Sequence, residues 1–289
     1  MNGDPAAEGT LAPSDPYLPE LMEVVSVTQQ TSDVKSVRAR FLDPDRQRDF
    51  RFRVGQFGIW SRFGAGESVF NLCGSSTWHD RLEFCFRRVG KVTDAFWGVQ
   101  PGEVIGFRGP YGNSYPVQEW EGRDLVFVAG GIAMPPVRCA IWYCLEHRER
   151  FGEITVVYGA RSVADLVFAD ELDQWAAHPR TRVVKTVDPG GRTPDWDGLE
   201  GFVPTVLAEA GVGGADTSAL VVGPPVMIKY SLPVLMEAGL APNRIHSSLE
   251  NRMKCGIGRC GRCNVGGTYL CKQGPVYSFE EIMAMPADM

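Results

Sequence analysis

Four cysteines near the C-terminus constrain this chain more than any other feature. Cys255, Cys260 and Cys263 stand at C-x4-C-x2-C, and Cys271 follows after a Gly-Gly turn. That spacing is typical of a plant-type [2Fe–2S] cluster, in which thiolates hold two irons, rather than of the paired C-x2-C knuckles of a zinc ribbon. The glycines between them let the backbone wrap closely and aim N–H groups at the sulfurs. A structural zinc site and a pair of disulfides are the alternatives.

Composition excludes two classes of partner. At 289 residues the chain is long enough for two domains and a small appendage. A net charge of −6 and a pI near 5.4 argue against nucleic acid, and no apolar run approaches the roughly 20 residues of a membrane helix. Residues 1–18 lack the features of a signal peptide, so we expect a flexible N-terminal arm and a cytoplasmic, reducing location.

The first part of the chain predicts a small antiparallel barrel or sandwich. From residue 21 to about residue 109, short apolar stretches are separated by turn residues every eight to twelve positions. In LEFCFRRV, alternation places Leu82 and Phe84 on one face and Glu83 and Cys85 on the other. No helix of ordinary length is predicted before residue 134.

From residue 119 onward, strands and helices alternate. LVFVA is a continuous apolar run suited to a strand buried on both faces, and Pro135 and Pro136 suit the first turn of the next helix. The alternation continues to RIHSSLE and predicts a parallel, doubly wound sheet of nucleotide-binding type. Pro233 falls inside one predicted helix, which we expect to be kinked or to start later.

Glycine turns follow two of the predicted parallel strands. The G-x-G-x-x-G fingerprint of ordinary dehydrogenases is absent from the sequence. Residues 130–132 instead connect the first α/β strand to its helix, and residues 223–225 follow a later strand. Open α/β sheets bind ligands at the carboxyl ends of their strands, and glycines there let a pyrophosphate approach the backbone. An ordinary tight turn is the alternative at each place.

Two segments of the barrel are further candidates. Residues 90–93, GKVT, follow a strand and offer N–H groups, a lysine and a hydroxyl to a phosphate. A hairpin end with a solvated lysine is the alternative. Residues 68–72 precede a Ser and Thr cluster, and pattern alone favours an ordinary core strand and a polar turn there.

Charged side chains leave two questions open. Asp188 follows a predicted strand, where a carboxylate could accept from an adenosine ribose hydroxyl and repel a 2′-phosphate, whereas Arg161 and Arg192 could favour that phosphate. The choice between NADH and NADPH therefore stays open. Arg259, Arg262 and Lys254 surround the cysteines, where they could receive an acidic partner surface or simply be solvated.

The order of these motifs resembles the ferredoxin-NADP reductase superfamily. After the barrel come GKVT, GPYGNSYP, AGGIAMPP, VVYGAR, VVGPPVMIK and KCGIGRCGRC. The chain is most similar to the flavin and iron–sulfur gamma subunits of NAD(P)-linked soluble [NiFe] hydrogenases, the sulfhydrogenases. The anaerobic sulfite reductase B subunit and the dihydroorotate dehydrogenase electron-transfer subunit are relatives. The resemblance covers about residues 20–282, and the cysteine segment with the trailing GPVYSFEEI is its most specific part.

The resemblance implies three cofactors and the residues that hold them. The residues implied for the FAD ring are Phe70, Asn71 and Leu72. Those implied for the FAD pyrophosphate are Gly90, Lys91, Val92 and Thr93. Those implied for NAD(P)H are Gly130, Gly131, Ile132, Gly159, Ala160, Arg161, Gly223, Pro224 and Pro225, to which we add Asp188. The [2Fe–2S] ligands are Cys255, Cys260, Cys263 and Cys271.

The expected fold class is an antiparallel β-barrel flavin-binding domain plus an α/β parallel-sheet nucleotide-binding domain, with a small C-terminal [2Fe–2S] lobe. We expect an arm over residues 1–18, the FAD-binding barrel over 19–117, the NAD(P)-binding domain over 118–248, and the cluster lobe and tail over 249–289. Three positions depart from the family pattern: Asn71 where a Ser is usual, Ala133 where a Gly is usual, and Val222 where a Cys is frequent.

The implied function is that of an electron-transfer subunit. Hydride exchange between NAD(P)H and FAD would be followed by single-electron steps to the cluster and on to other iron–sulfur and catalytic subunits, of a [NiFe] hydrogenase complex by resemblance. One alternative is a stand-alone NAD(P)H:ferredoxin or oxygenase reductase. The other is not an enzyme but a zinc-stabilised nucleotide-binding scaffold.

Overall fold

An antiparallel half-barrel forms the first part of the molecule. The computed structural model describes residues 15–286, so most of the predicted N-terminal arm lies outside the described residues. The strands are β1 (Glu20–Gln29), β2 (Val34–Phe41), β3 (Phe57–Arg62), β4 (Gly66–Asn71), β5 (Leu82–Arg87) and β6 (Val104–Tyr111), in the order β4-β3-β6-β1-β2-β5. Two short helices interrupt them, α1 (Pro44–Asp49) and α2 (Lys91–Trp97).

Aromatic packing brings the two edge strands of this sheet together. Phe70 of β4 stacks on Phe84 of β5, with ring centroids 5.3 Å apart and an interplanar angle of 8°. Trp60 lies 4.2 Å from Phe84, and Phe96 of α2 meets Phe84 edge-on at 5.4 Å. The side chains of β4 and β5 thus close the half-barrel where no ladder joins them.

A seven-stranded sheet forms the second part. Its strands are β7 (Asp124–Gly130), β8 (Ile154–Ala160), β9 (Thr181–Val187), β10 (Leu199–Glu200), β11 (Thr217–Val222) and β12 (Ile245–Ser248). The helices between them are α3 (Met134–Glu146), α4 (Ala169–Ala176), α5 (Val203–Glu209) and α6 (Pro225–Glu237). All six strands run parallel, in the order β10-β9-β8-β7-β11-β12.

The cysteine lobe follows and then returns to this sheet. It contains a hairpin of β13 (Asn264–Val265) and β14 (Thr268–Tyr269), and the helix α7 (Leu270–Gln273). The chain then adds β15 (Val276–Ser278) antiparallel to β12, as the seventh strand, and ends its described part after α8 (Phe279–Met283). The lobe is therefore tied to the α/β sheet at both of its ends.

Two details of the α/β domain differ from the expected pattern. The sequence VADLVFADELDQWA, residues 163–176, predicts one helix, but it forms a short 3-10 turn and then α4, because Phe168 adopts a left-handed conformation with φ 57° between them. Helix α6 runs through Pro233 without a break. Among residues 15–286, no helix combines the length and apolarity needed to cross a membrane.

A buried arginine joins the two domains. Arg138 of α3 is 0% exposed and donates to Glu83 of β5 at 3.2 Å, to Glu171 of α4 at 2.6 and 2.7 Å, and to the carbonyl of Cys73 at 2.8 Å. Its guanidinium also lies 4.2 Å from the centroid of the Phe168 ring. Burial acts to lower the pKa of Arg138, but the two carboxylates raise it, so the arginine stays charged. The outer face of β5, which bears Glu83, is consequently buried rather than solvated.

Replacing this arginine should weaken the contact between the two domains. Arg138→Met leaves Glu171 without a cation and Glu83 with only its longer ion pair to Arg38, at 3.4 Å, so we expect the free energy of unfolding to fall by about 3–5 kcal/mol in urea denaturation. Adding Glu83→Gln should recover part of that loss, because it removes one stranded charge.

The matched control is Arg40→Met. Arg40 pairs with Glu23 at 2.8 Å, but its side chain is 57% exposed, so the loss should be about 0–1 kcal/mol. Equal losses in Arg138→Met and Arg40→Met would contradict the assigned role of the buried pair.

Candidate functional site

The cysteine loop is shaped to surround sulfur atoms with N–H donors. Gly256, Gly258 and Gly261 have φ of 74°, 72° and 71°, a region that glycine enters without steric cost. The N–H of Gly258 donates to Cys271 Sγ at 3.1 Å. Two further N–H groups, those of Arg259 and Cys260, donate to Cys255 Sγ at 3.3 and 3.4 Å. The spacing of the glycines thus places backbone donors where thiolate charge would lie.

The four thiols of the lobe interact in two pairs. Burial acts to raise the pKa of Cys255, but backbone N–H donors and the Cys260 thiol lower it to about 6. Burial and the hydrogen bond with Cys263 raise the pKa of Cys271 to about 12. Within the described residues, no three His, Cys, Asp or Glu side chains are grouped as a site for one metal ion. Two thiols to each iron is the arrangement that a two-iron cluster requires, and these side chains fit it.

The remaining cysteines are ordinary core residues. Cys73, Cys85, Cys139 and Cys144 are buried, and burial raises the pKa of each thiol. All four belong to the buried apolar cluster that also contains Phe127 and Val137, whereas Cys263 and Cys271 belong to a separate cluster in the lobe. The structure thus separates lobe cysteines from core cysteines by their surroundings.

Arg108 of β6 fastens the lobe to the half-barrel. It is 4% exposed and donates to the carbonyl of Cys255 at 3.2 Å, while its other nitrogens bind Glu67 at 2.7 and 3.1 Å. Tyr111 packs so closely on the loop that a Cβ at Gly256 would lie 2.6 Å from its ring. Cys255, the first of the four lobe cysteines, is therefore held against strand β6.

Phe57 connects the predicted flavin ring site to the cysteines. It is 1% exposed and belongs to a buried cluster that includes Cys263, Cys271 and Tyr277. Across the β3–β4 ladder its partner is Asn71. In the described part of the chain the amide side chain of Asn71 makes no hydrogen bond of its own, so it is free to meet a ligand. The adjacent Leu72 is buried.

The predicted flavin pyrophosphate segment is the start of α2 rather than a hairpin end. Gly90 precedes the helix, and a Cβ added to it would meet no atom within 4 Å. The Thr93 hydroxyl accepts from the N–H groups of Val89 and Gly90 at 2.9 Å, so it caps the chain internally. Lys91 is exposed. The N–H groups of the first helical turn, from Lys91 onward, and the lysine side chain remain for a phosphate, whereas the threonine and the Gly90 N–H are used within the chain.

The predicted nucleotide residues meet at one edge of the α/β sheet. Gly130 ends β7, Ala160 ends β8, and Asp188 follows β9 and donates its N–H to Ala160 O at 3.0 Å. Gly223 follows β11, whose last residue pairs with Ala129 of β7. Because β8 and β11 flank β7, the chain reverses its direction across the sheet between β7 and β11. That is the point where open α/β sheets bind nucleotides.

The glycines at this edge have different roles. A Cβ at Gly130 would lie 2.6 Å from Met227 Sδ, and one at Gly223 would also collide with Met227. A Cβ at Gly159 would collide with Val203 and Thr186, so packing requires this glycine, whereas the flexible end of Met227 could move aside at Gly130 and Gly223. Gly131 has φ 54°, and a Cβ added to it would meet no atom within 4 Å, which leaves its backbone open to a ligand. Ile132 follows it in a 3-10 turn.

Asp188 and Arg161 face each other at the outer end of the same edge. Partial burial raises the pKa of Asp188, and the neighbouring Arg161 opposes that effect. The Arg161 side chain is 74% exposed and lies 3.4 Å from Asp165. A ligand placed here would meet one carboxylate and one exposed cation.

Sequence reasoning missed three residues that build the site. Arg108 gives no local signal, since it is one arginine among many on apolar strands. Met227 fills the space between Gly130 and Gly223, and Asn113 binds the Val276 backbone through its amide at 2.7 and 2.9 Å. Each contact joins segments that are distant in sequence.

Known proteins share both halves of this arrangement. Residues 127–232 match the family described as oxidoreductase NAD-binding domain, and residues 250–283 match the iron–sulfur cluster binding domain of dihydroorotate dehydrogenase B. Sulfhydrogenase 1 subunit gamma of Pyrococcus furiosus is 36% identical over 281 residues, 96% of each chain. A probable dihydroorotate dehydrogenase B electron transfer subunit of Thermococcus kodakarensis is 30% identical, over 92% of this chain and 100% of its own.

Solved structures share the fold. An NADH-dependent reduced ferredoxin-NADP oxidoreductase superposes with a TM-score of 0.73 at 22% identity, over 94% of this chain and 92% of its own. The predicted fold class and the resemblance are both confirmed. The chain belongs to the family of oxidoreductase subunits that includes the sulfhydrogenase gamma subunits and the dihydroorotate dehydrogenase B electron-transfer subunits.

Proposed function

We propose that this protein passes electrons between NAD(P)H and a partner redox subunit through FAD and a [2Fe–2S] cluster. The observation that carries the proposal is the continuity from Asn71 through Phe57 to Cys263 and Cys271. In this proposal a flavin ring site and a cluster site lie on two sides of one buried phenylalanine. The nucleotide edge of the α/β sheet supplies the third site.

FAD, when bound, supplies the exchange between the two-electron chemistry of nicotinamide and the one-electron chemistry of the cluster. The residues of the chain would hold FAD and orient it. We propose that Phe70, Asn71 and Leu72 contact the flavin ring and that the start of α2 binds its pyrophosphate. Helix α2 lies against β4, since a Cβ at Gly66 would be 3.3 Å from Val92. Both flavin contacts would therefore come from one packed unit.

The nicotinamide nucleotide would lie along the sheet edge. In this proposal its pyrophosphate meets Gly130, Gly131 and Ile132, and its nicotinamide end meets Gly223, Pro224 and Pro225. Gly159, Ala160, Arg161 and Asp188 would face the ribose side. The Tyr158 hydroxyl supports this turn by donating to Gly131 O at 3.1 Å while accepting from Val167 N–H at 2.8 Å. No side chain is needed as an acid or base, because hydride moves between the two rings.

The proposed division of labour follows the expected boundaries. Residues 19–117 would bind FAD, residues 118–248 NAD(P)H and residues 249–289 the cluster. The partner we propose is a hydrogenase-type complex in the cytoplasm, because two sulfhydrogenase gamma subunits are 36% and 34% identical to this chain and match nearly all of it. Other relatives are also named as subunits of a larger redox enzyme.

Removing one cysteine ligand of the cluster should separate flavin reduction from electron transfer to the partner. In Cys260→Ser, NAD(P)H should still bleach the flavin absorbance at the wild-type rate, because the nucleotide edge is untouched. Electron transfer to the partner should fall by about 100-fold or more, since one cluster ligand is lost. Stopped-flow absorbance measures the first step, and reduction of the co-purified partner measures the second.

The matched control is Cys144→Ala, which removes a thiol buried in α3. It should retain both steps. Wild-type transfer rates in Cys260→Ser would show that the cluster is off the path. Purified protein with zinc but neither flavin nor iron bands in its absorption spectrum would refute the reductase proposal itself.

Opposite substitutions at the ribose side should shift nucleotide preference in opposite directions. Asp188→Asn removes the charge that repels a 2′-phosphate, so the ratio of kcat/KM for NADH over NADPH should fall by about tenfold. Arg161→Gln removes the charge that attracts this phosphate, so the ratio should rise. Steady-state flavin reduction with each nucleotide measures the ratio, and a shift of both variants in the same direction would contradict the placement.

A further inference from the structure

A cluster of exposed cations surrounds the cysteine loop. We call the set the basic face, and its members are Arg252, Lys254, Arg259, Arg262 and Lys272. Residues 250–273 contain one acidic side chain, Glu250, so the segment has a net charge of +4 in a chain of net charge −6. The remainder of the protein is therefore strongly acidic, and the basic face is its electrostatic opposite.

The basic face is not neutralised by the fold. Within residues 15–286, none of its five cations lies within ion-pair distance of a carboxylate. Exposed arginines elsewhere do have such partners, as Arg40 does with Glu23 and Arg48 with Asp45. Lys254 is near enough to Glu67 to contribute to lowering its pKa, but the ion pair of Glu67 is with Arg108.

The cations also do not serve the sulfur atoms. The hydrogen bonds to Cys255 and Cys271 come from backbone N–H groups of the loop, including that of Arg259. The side chains of Arg259 and Arg262 are exposed, so their charge faces solvent. Lys272 lies over the loop, where a Cβ at Gly258 would be 2.7 Å from its Cδ.

The exposed cysteine lies beside two members of the basic face in sequence. Cys255, Cys263 and Cys271 are buried, whereas Cys260 is exposed. Of the four cysteines, Cys260 is therefore the one open to solvent, and in sequence it lies between Arg259 and Arg262. A redox partner that approaches Cys260 would meet Arg259 and Arg262, which flank it in sequence and are exposed.

We propose that the basic face is the docking surface for an acidic redox protein, which receives or delivers electrons at Cys260. This inference rests on the proposed function and adds the chemistry of the partner. An acidic surface would pair with the five cations and bring its own redox centre near the exposed thiolate. Complementary charge raises the rate of encounter by about 10 to 1,000-fold at low ionic strength and fixes orientation.

The experiment uses holoprotein with FAD and cluster, NAD(P)H as the donor and two protein acceptors of opposite charge. The acceptors are an acidic [2Fe–2S] ferredoxin and basic cytochrome c. Transfer to the ferredoxin should fall steeply as ionic strength rises, because salt screens the attraction. Transfer to cytochrome c should not fall.

The second part of the experiment reverses charges on the basic face. Arg259→Glu/Arg262→Glu should slow transfer to the ferredoxin by about tenfold or more and flatten its salt dependence. The control is Arg48→Glu/Arg51→Glu, which makes the same change of charge on exposed side chains beside α1. Helix α1 lies next to β2, near one edge of the sheet order, whereas the lobe packs on β3, β4 and β6. This control should retain the rate.

Two measurements separate docking from other roles of the cations. In the same samples, bleaching of the flavin and cluster absorbance by NAD(P)H measures electron transfer within the protein. If wild-type protein shows no bleaching, that result counts against the proposed function and not against docking alone. The midpoint potential of the cluster shows whether the cations of the basic face compensate the charge of the cluster. If reversal prevents cluster assembly, Arg259→Gln/Arg262→Gln replaces it. The inference is overturned if neither salt nor the paired substitutions change the rate of electron transfer to the ferredoxin. It is also overturned if that rate falls only when the midpoint potential changes.

Discussion

The ion pair between Arg138 and Glu83 holds together the two surfaces on which every proposed cofactor depends. Arg138 comes from the first α/β helix and Glu83 from an edge strand of the half-barrel, and both are almost fully buried. A charge at this depth is tolerable only with its counter-charge in place, so separating the two domains is strongly unfavourable. This contact helps to hold the proposed flavin site and the nucleotide edge, which lie in different domains, in one arrangement.

A second buried arginine does the same for the cysteine lobe. Arg108 binds the carbonyl of Cys255, the first of the four lobe cysteines, and Phe57 belongs to the same buried cluster as Cys263 and Cys271. The lobe is therefore fixed to the half-barrel through Arg108 and to the α/β sheet through β15. Electron transfer depends steeply on separation between centres, and a lobe anchored at two places keeps that separation constant.

Several residues predicted for ligands also have structural duties. Gly130, Gly159 and Gly223 leave room for neighbouring side chains, and Thr93 caps its own segment. Gly131 is different, because its positive φ accompanies open space. A motif glycine can thus match a family pattern for reasons of packing, and the structure is needed to distinguish the two.

The sequence by itself determined the local features. Alternation in LEFCFRRV predicted β5, the apolar run LVFVA predicted β7, and the cysteine spacing with its glycines predicted the cluster loop. Each of these depends on neighbouring residues, so periodicity and spacing are sufficient. Tertiary structure alone decided that the polar face of β5 is buried by Arg138, that Arg108 reaches Cys255, and that Cys260 is the exposed cysteine of the four. These contacts join residues separated by tens to more than a hundred positions, and no local pattern records which distant side chain will supply the partner.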